Sequence, residues 1–360
     1  MYDDCVLVER HGSAGVIRLN RASALNSLTI GMVRAVNYAL DIFEGDPEVA
    51  TVIVLGEGER GFCAGGDIRA LYESGWIGSP DASIFWHEEF ALTYRIARFP
   101  KPYIAFMDGI TMGGGVGIST HGRHRIVTER TRLAMPETAI GYFPDVGASW
   151  FLPRMPGETG TWIGMTGLEI GADDALYTGF ADVKVESGRL PEILDELANI
   201  PLSGGVGLCD GLFKKYSLDL VTGPVQQNRI LIDRAFAYDN VEEIFEALAR
   251  EDDGFAHHTR RILSSRSPTS LKVTLRLLRE GAGSESLLEC LSRELLACGQ
   301  ILKKADFYEG VRAAIIDKDR NPKWLPQTVD EVTPPMVNTF FPDSLAKNGE
   351  GNIKGHDAAW

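Results

Sequence analysis

"YIAFMDGITMGGGVGISTHGRHRIVTE", residues 103–129, is the stretch whose reading decides the fold. It opens on a short apolar run, breaks at Asp108-Gly109, passes through three glycines at 113–115 and ends in a second strand-like run, "HRIVTE". A strand, a glycine loop entering a helix, and a strand again is the signature of an α/β protein. The same alternation extends outward. "CVLVER" and "GVIRLN" read as strands joined by "HGSAG" in a hairpin. "TIGMVRAVNYALDIFEGD" reads as a helix with Thr29 as N-cap and Gly45 as its stop. Met32, Val33, Val36, Leu40 and Phe43 share one face of it. "TVIVLGEG" is a short buried strand, "ERGFCAGG" a loop leading into a helix from about residue 67, and a further helix spans about 83–99. The units drift in length and show no fixed period.

Past Pro201 the texture changes. "IPLSGGVGLCDG" is glycine-rich and reads as a linker, and most of the chain beyond it is helical. "SRSPTSLKVTLRLLREG" carries Ser-Pro at its start and Gly281 at its end, the marks of a bounded helix. In "ESLLECLSRELLACGQILKK", Leu287, Leu291, Leu295, Cys298 and Leu302 fall on one helical face, which reads as simple packing. The last 25 residues show no periodicity. The expected organisation is a core over 1–200, a mainly helical region over 201–335 and a tail over 336–360.

Composition narrows the function classes. The 360 residues carry 36 basic and 50 acidic side chains, a net charge of −14. That argues against a protein that wraps nucleic acid or coats an anionic membrane. No apolar run approaches the roughly 20 residues of a membrane span. The five cysteines (5, 63, 209, 290 and 298) form no C-x-x-C pair. An odd number of them suits a reducing compartment. "MYDDCVLVERHG" has neither a basic region before an apolar run nor the Arg-rich, acid-poor character of a transit peptide. The expectation is a cytoplasmic protein.

Several catalytic motifs are missing. There is no G-x-S-x-G elbow and no G-x-x-x-x-G-K-[ST] loop. "GGGVGIST" does not fit G-x-G-x-x-G, and "HEEFA" at His87 lacks the second histidine of a zinc helix. His121 and His124 have no third ligand near them in sequence, so no metal is expected. Two glycine loops remain, "FCAGGDI" (62–68) and "TMGGGVG" (111–117). Each follows a strand and enters a helix, whose first N–H groups are unpaired and carry partial positive charge. Two such loops facing one point can hold a developing oxyanion. Losing one donor of that kind costs about 3–4 kcal/mol of transition-state stabilisation. The competing reading is two tight turns where helices pack near strands.

These loops, with "MPETAIGYFPDVGASWFLPR" and "GADDALYTGFAD", resemble the crotonase, or enoyl-CoA hydratase/isomerase, superfamily. The fold so implied is α/β, a spiral of ββα units with a helical C-terminal region covering the site. The resemblance implies that acyl-CoA thioesters bind, with the thioester carbonyl polarised by the N–H groups of Gly66 and Gly114. Ala64, Asp67 and Ile68 would lie along the bound CoA, although Asp67 can equally cap its own helix. CoA is then part of the substrate and no separate cofactor is implied. A homo-oligomer fits the family.

Hydratases of this family carry a glutamate where this chain has Gly117, and a second in a Pro-Glu motif, here Glu137. The pattern "ETAIGYFPDVG", with "HEEFALTYRI", "SPTSLKVTLRLLREG" and "DFYEGVRAAIIDKDRNPKW" (306–324), is similar to the 3-hydroxyisobutyryl-CoA hydrolase subfamily. The activity so implied is hydrolysis of a short β-hydroxyacyl-CoA in valine breakdown; the alternative is an enoyl-CoA isomerase or hydratase. Hydrolysis needs a nucleophile or base, an oxyanion site and a proton for the leaving thiolate. Glu137 takes the first role and Asp145 holds or protonates the other participants. Two close carboxyls push one pKa upward, so one acid keeps its proton near neutral pH. Glu89, the second acid of "HEEF", would line the acyl pocket. The competing readings are a solvated acid for Glu89 and, for Asp145, a cap on the helix beginning near Gly147. Cys63 has no base beside it and reads as packing.

Overall fold

The N-terminal alternation folds into β1 (Val6–His11) and β2 (Ala14–Leu19), antiparallel, with Val6 opposite Leu19 and His11 opposite Ala14. The next long element, the helix α1 (Ile30–Gly45), begins as its sequence predicts: Thr29 accepts from the Met32 N–H and the five named apolar residues are buried. The computed structural model describes residues 4–202 and 205–342. The tail expected over 336–360 lies, from residue 343 on, outside the described residues. The chain divides into two units interleaved in sequence. The first comprises residues 1–67, 91–134 and 169–226, the second 68–90, 135–168 and 227–360.

The first unit holds both sheets. The larger has the order β1-β2-β3-β5-β7-β9, with β3 at Thr51–Gly56, β5 at Tyr103–Met107, β7 at His124–Thr128 and β9 at Val183–Val185. All its pairings after β1–β2 are parallel. The smaller is β4-β6-β8, also parallel: Gly61–Cys63, Ile110–Met112 and Arg132–Ala134. β3, β5 and β7 are thus each followed by a short strand that joins the other sheet, and the middle pair, β5 and β6, leads into the helix Gly114–Thr120. The sequence reads 61–63 and 110–112 as parts of loops; they are strands. Three residues are too few to show a period of two, so only pairing reveals them.

The linker reading of "IPLSGGVGLCDG" (200–211) is corrected as well. Residues from Gly205 to Tyr216 form a helix whose Cys209, Phe213 and Tyr216 join Val16, Ile53, Ile104, Phe106 and Val185 in one buried cluster. Its Gly207 and Gly211 face open space. The glycines lie on the outer side, and the buried residues recur at helical spacing between them. Burying a side chain such as Phe213 is worth about 1.5–3 kcal/mol, enough to outweigh the helix penalty of about 1 kcal/mol per glycine.

The second unit is helical. Ser267 caps Pro268–Ala282 by accepting from Ser270 N–H, as Ser-Pro predicts. The helix Leu287–Ile301 is also present, but its inner face differs from the expected leucine stripe. Cys290, Leu291, Glu294, Ala297, Cys298 and Ile301 are buried, while Leu287, Leu295 and Leu302 are only half-buried. The rotation of the face brings Glu294 inside, onto the turn at Gly147.

Candidate active site

In the first unit the two glycine loops press against each other. The chain from Arg21 to Leu28 braces the first of them. Asn26, fully buried, accepts from Arg21 N–H and donates to the carbonyls of Glu57 and Gly61. Ala64 N–H donates to Leu25 O at 2.9 Å, Leu28 N–H to Gly65 O at 2.8 Å, and Asp67 N–H to Leu28 O at 2.9 Å. A methyl group on Gly115 would sit 2.2 Å from Cys63 O, and one on Gly65 would sit 3.4 Å from Gly114 N. Only glycine permits that approach. Gly114 opens its helix, and the first N–H groups of a helix have no partner within it. Asp67 pairs with Arg21 at 2.7 Å, so its carboxylate is engaged within the loop. Ala64 and Gly66 are half-buried in the same loop. Cys63 is buried. His124 packs on Phe213 at 5.1 Å between ring centroids. Among the described residues no three His, Cys, Asp or Glu side chains are grouped to hold a metal ion.

The second unit gathers the three acids. Glu89 lies on the helix Asp81–Ala97, at 2% exposure; a solvated acid is ruled out at that burial. Glu137 opens a single 3-10 turn, Glu137–Ile140, and Asp145 follows eight residues later; both are buried. Burial pushes the Glu89 carboxyl well up from its ordinary value, and the Asp145 charge adds to it. Glu137 is raised by burial, then by Asp145 and Glu89. Asp145 itself is pushed up by burial to about 7, against a hydrogen bond from Tyr142 Oη at 2.8 Å that favours its charged form. Glu89 Oε1 and Glu137 Oε2 have no hydrogen-bond partner among the described residues. Acids that are dry, mutually repelling and under-bonded cannot all ionise near neutrality. Burial and mutual repulsion thus favour bound protons in this cluster, a buried store of the kind that general acid chemistry draws on. Ile68, the last of the expected contacts, opens the helix Ile68–Ile77 in this unit and is half-buried.

The capping alternative for Asp145 does not describe its side chain. The helix beyond it, Ala148–Phe151, starts with Gly147 N–H and Ser149 N–H both donating to Glu294 instead. Sequence reasoning missed Glu294, Tyr142, Cys298 and Trp86. Tyr142 Oη contacts Cys298 Sγ at 2.8 Å as well as Asp145, and its ring stacks on Trp86 at 6.1 Å. A signal for Glu294 existed: it is the one acid between Leu291 and Cys298 at helical spacing on an otherwise apolar face.

Raised carboxyl pKa values carry a stability consequence. Unfolded carboxyls titrate near about 4, and these titrate higher when folded. Their favourable contribution is complete below pH 4 and is lost as pH rises through about 7 and above. The unfolding free energy of the wild type, measured by denaturant titration, is expected to fall between pH 5 and pH 8, by roughly 1.4 kcal/mol per pH unit for each proton released on unfolding. Glu89→Gln is expected to flatten that slope. A variant that follows the wild-type curve at both ends would contradict the assignment of buried, protonated Glu89.

The family profile of enoyl-CoA hydratase/isomerase matches residues 14–341. The chain belongs to the enoyl-CoA hydratase/isomerase family. As a family member it is 42% identical over 342 residues to the mitochondrial 3-hydroxyisobutyryl-CoA hydrolase of Xenopus tropicalis, covering 94% of this chain and 88% of that one. The human mitochondrial 3-hydroxyisobutyryl-CoA hydrolase is 39% identical over 340 residues, covering 93% and 88%. Among solved structures, a carnitinyl-CoA dehydratase from Mycobacterium thermoresistibile superposes with a TM-score of 0.89 at 38% identity, covering 94% and 97%. An enoyl-CoA hydratase from Rhodobacter sphaeroides 2.4.1 gives 0.85 at 39%, with the same coverage. The crotonase-like spiral of ββα units is the fold of this family member. The cytoplasmic expectation is overturned, because the curated hydrolase relatives are mitochondrial. Free thiols report a reducing environment and not which compartment provides it.

Proposed function

We propose that this chain hydrolyses short β-hydroxyacyl-CoA thioesters, 3-hydroxyisobutyryl-CoA first among them, to free acid and CoA. The reading rests on the near full-length likeness to 3-hydroxyisobutyryl-CoA hydrolases. We place the reaction in valine breakdown, where that thioester arises.

Each residue then takes a role. Glu137 attacks the thioester carbon to form an anhydride, or deprotonates the water that attacks it. In either case the C–S bond breaks and the departing thiolate takes a proton, which Asp145 supplies from the buried store. Its value of about 7 makes Asp145 a proton donor at neutral pH. In the anhydride route a water then opens the anhydride and restores Glu137. The Gly66 and Gly114 N–H groups are assigned to the developing oxyanion, with the partial positive charge of the helix start at Gly114 behind the second. Glu89 shapes the acyl end of the substrate, and Ala64, Asp67 and Ile68 run along CoA. These assignments come from the family pattern, and the raised pKa values of the acids support them.

Addition of water to an enoyl-CoA is the rival chemistry, and two solved relatives have hydratase or dehydratase names. Gly117 stands against it, since the first of the two glutamates of the hydratases is replaced by a residue with no side chain. Thiol trapping separates the two. Release of CoA thiol from 3-hydroxyisobutyryl-CoA, with crotonyl-CoA left unhydrated, is the expected result. Rapid hydration of crotonyl-CoA without thiol release reverses the conclusion.

A further inference from the structure

Glu294 is a fully buried carboxylate that none of the roles above uses. Its Oε2 accepts from Gly147 N–H at 2.7 Å, and its Oε1 accepts from Ser149 N–H at 2.8 Å and from the Ser149 hydroxyl. The turn it grips is unusual. Two successive residues are left-handed, Val146 at φ 51° and Gly147 at φ 88°. Glycine tolerates that region, whereas a β-branched residue there is strained and persists only where its surroundings hold it. Asp145 immediately precedes this pair, and its carbonyl accepts from Ala148 N–H at 2.9 Å across the turn. The path of the chain from 145 to 149 therefore depends on a carboxylate from a helix far away in sequence. Tyr142 fixes the other side of Asp145 through its hydroxyl.

We propose that Glu294 is the positioning residue of the Asp145 carboxyl. It clamps the left-handed turn through three hydrogen bonds and so sets where the proton-donating side chain points. The inference rests on the reading of Asp145 as that donor. It explains why an acid occupies the centre of an apolar helix face. A neutral residue could fill the space but could not accept from two backbone N–H groups and a hydroxyl together. Glutamine at this position keeps the shape, yet turns an NH2 group toward one of those donors, so the turn must relax. A displacement of about 1 Å in a reacting group can lower turnover on the order of 100-fold.

The test is a double-mutant cycle on thiol release, with Glu294→Gln, Asp145→Asn and both together. Glu294→Gln is expected to lower kcat about 10–100-fold with KM within about twofold. In the Asp145→Asn background the same change should lower kcat by less than about twofold, because there is no donor left to aim. Binding of a non-hydrolysable thioether analogue should be unchanged in all three. A merely structural glutamate would reduce the folded fraction and leave kcat per binding-competent site unaltered. That result, or two drops that simply multiply, overturns the positioning role while leaving the donor role of Asp145 intact. Wild-type turnover in Asp145→Asn alone overturns both. If Glu294→Gln does not fold, Ser149→Ala removes only one of the three bonds. It is expected to lower kcat several-fold with the same lack of additivity, and is judged by the same outcomes.

Discussion

Glu137→Gln is expected to lower CoA release from 3-hydroxyisobutyryl-CoA about 10²–10⁴-fold, the usual contribution of a positioned acid–base group. Glutamine matches glutamate in volume but can neither attack the thioester carbon nor take a proton from water. The buried position argues that the protein itself tolerates the change. Glu137 Oε2 has no hydrogen-bond partner among the described residues, and its charged form is opposed by burial and by two neighbouring acids. Removing the ionisable group relieves that opposition, so the variant should unfold at an equal or higher temperature at pH 8. Loss of turnover with unchanged or improved stability is the pattern of a group retained for chemistry at a cost in stability. Calorimetric titration with a thioether analogue should give a wild-type dissociation constant. Turnover near the wild-type rate would show that another group carries the attack.

Gly115→Ala is the second large effect. The added methyl would meet the backbone carbonyl of Cys63 at 2.2 Å and the Cys63 Cβ at 2.9 Å. Neither is the tip of a flexible side chain, so one loop must move. The helix Gly114–Thr120 cannot yield easily, since every one of its residues is buried. The loops carrying Gly66 and Gly114 are then forced apart, and the two N–H groups proposed as oxyanion donors are displaced from one another. Loss of one such donor lowers kcat about 10²–10³-fold, and the same range is expected here, with a lowered melting temperature. Gly207→Ala is the control. It faces open space on the helix Gly205–Tyr216, and should keep full activity and gain up to about 1 kcal/mol in stability. A folded Gly115→Ala enzyme with wild-type kcat would remove the two loops from the mechanism.

The limits of reading from sequence show in particular residues. The long strands and α1 are legible because periodic apolar residues and a threonine cap are local signals. The helix at 205–216 is not, because its glycines mask a buried face that exists only against the sheet. The three-residue strands β4, β6 and β8 have no local signature at all; pairing with one another is what makes them strands. Compartment escapes the sequence for a similar reason, since an acidic composition with free thiols belongs to more than one place in a cell.

Residue type alone determined the alternating architecture and the two glycine loops, because each depends on spacing within a short segment; the roles of Glu89, Glu137 and Asp145 came from the resemblance of their motifs to a known family. Only the tertiary structure decided that these acids are dry enough to hold protons and that Glu294 secures the turn beside Asp145. Burial, mutual repulsion and long-range hydrogen bonds arise between segments as far apart as the 147 positions that separate Gly147 from Glu294 and the 156 that separate Tyr142 from Cys298. No local pattern encodes a partner at that distance.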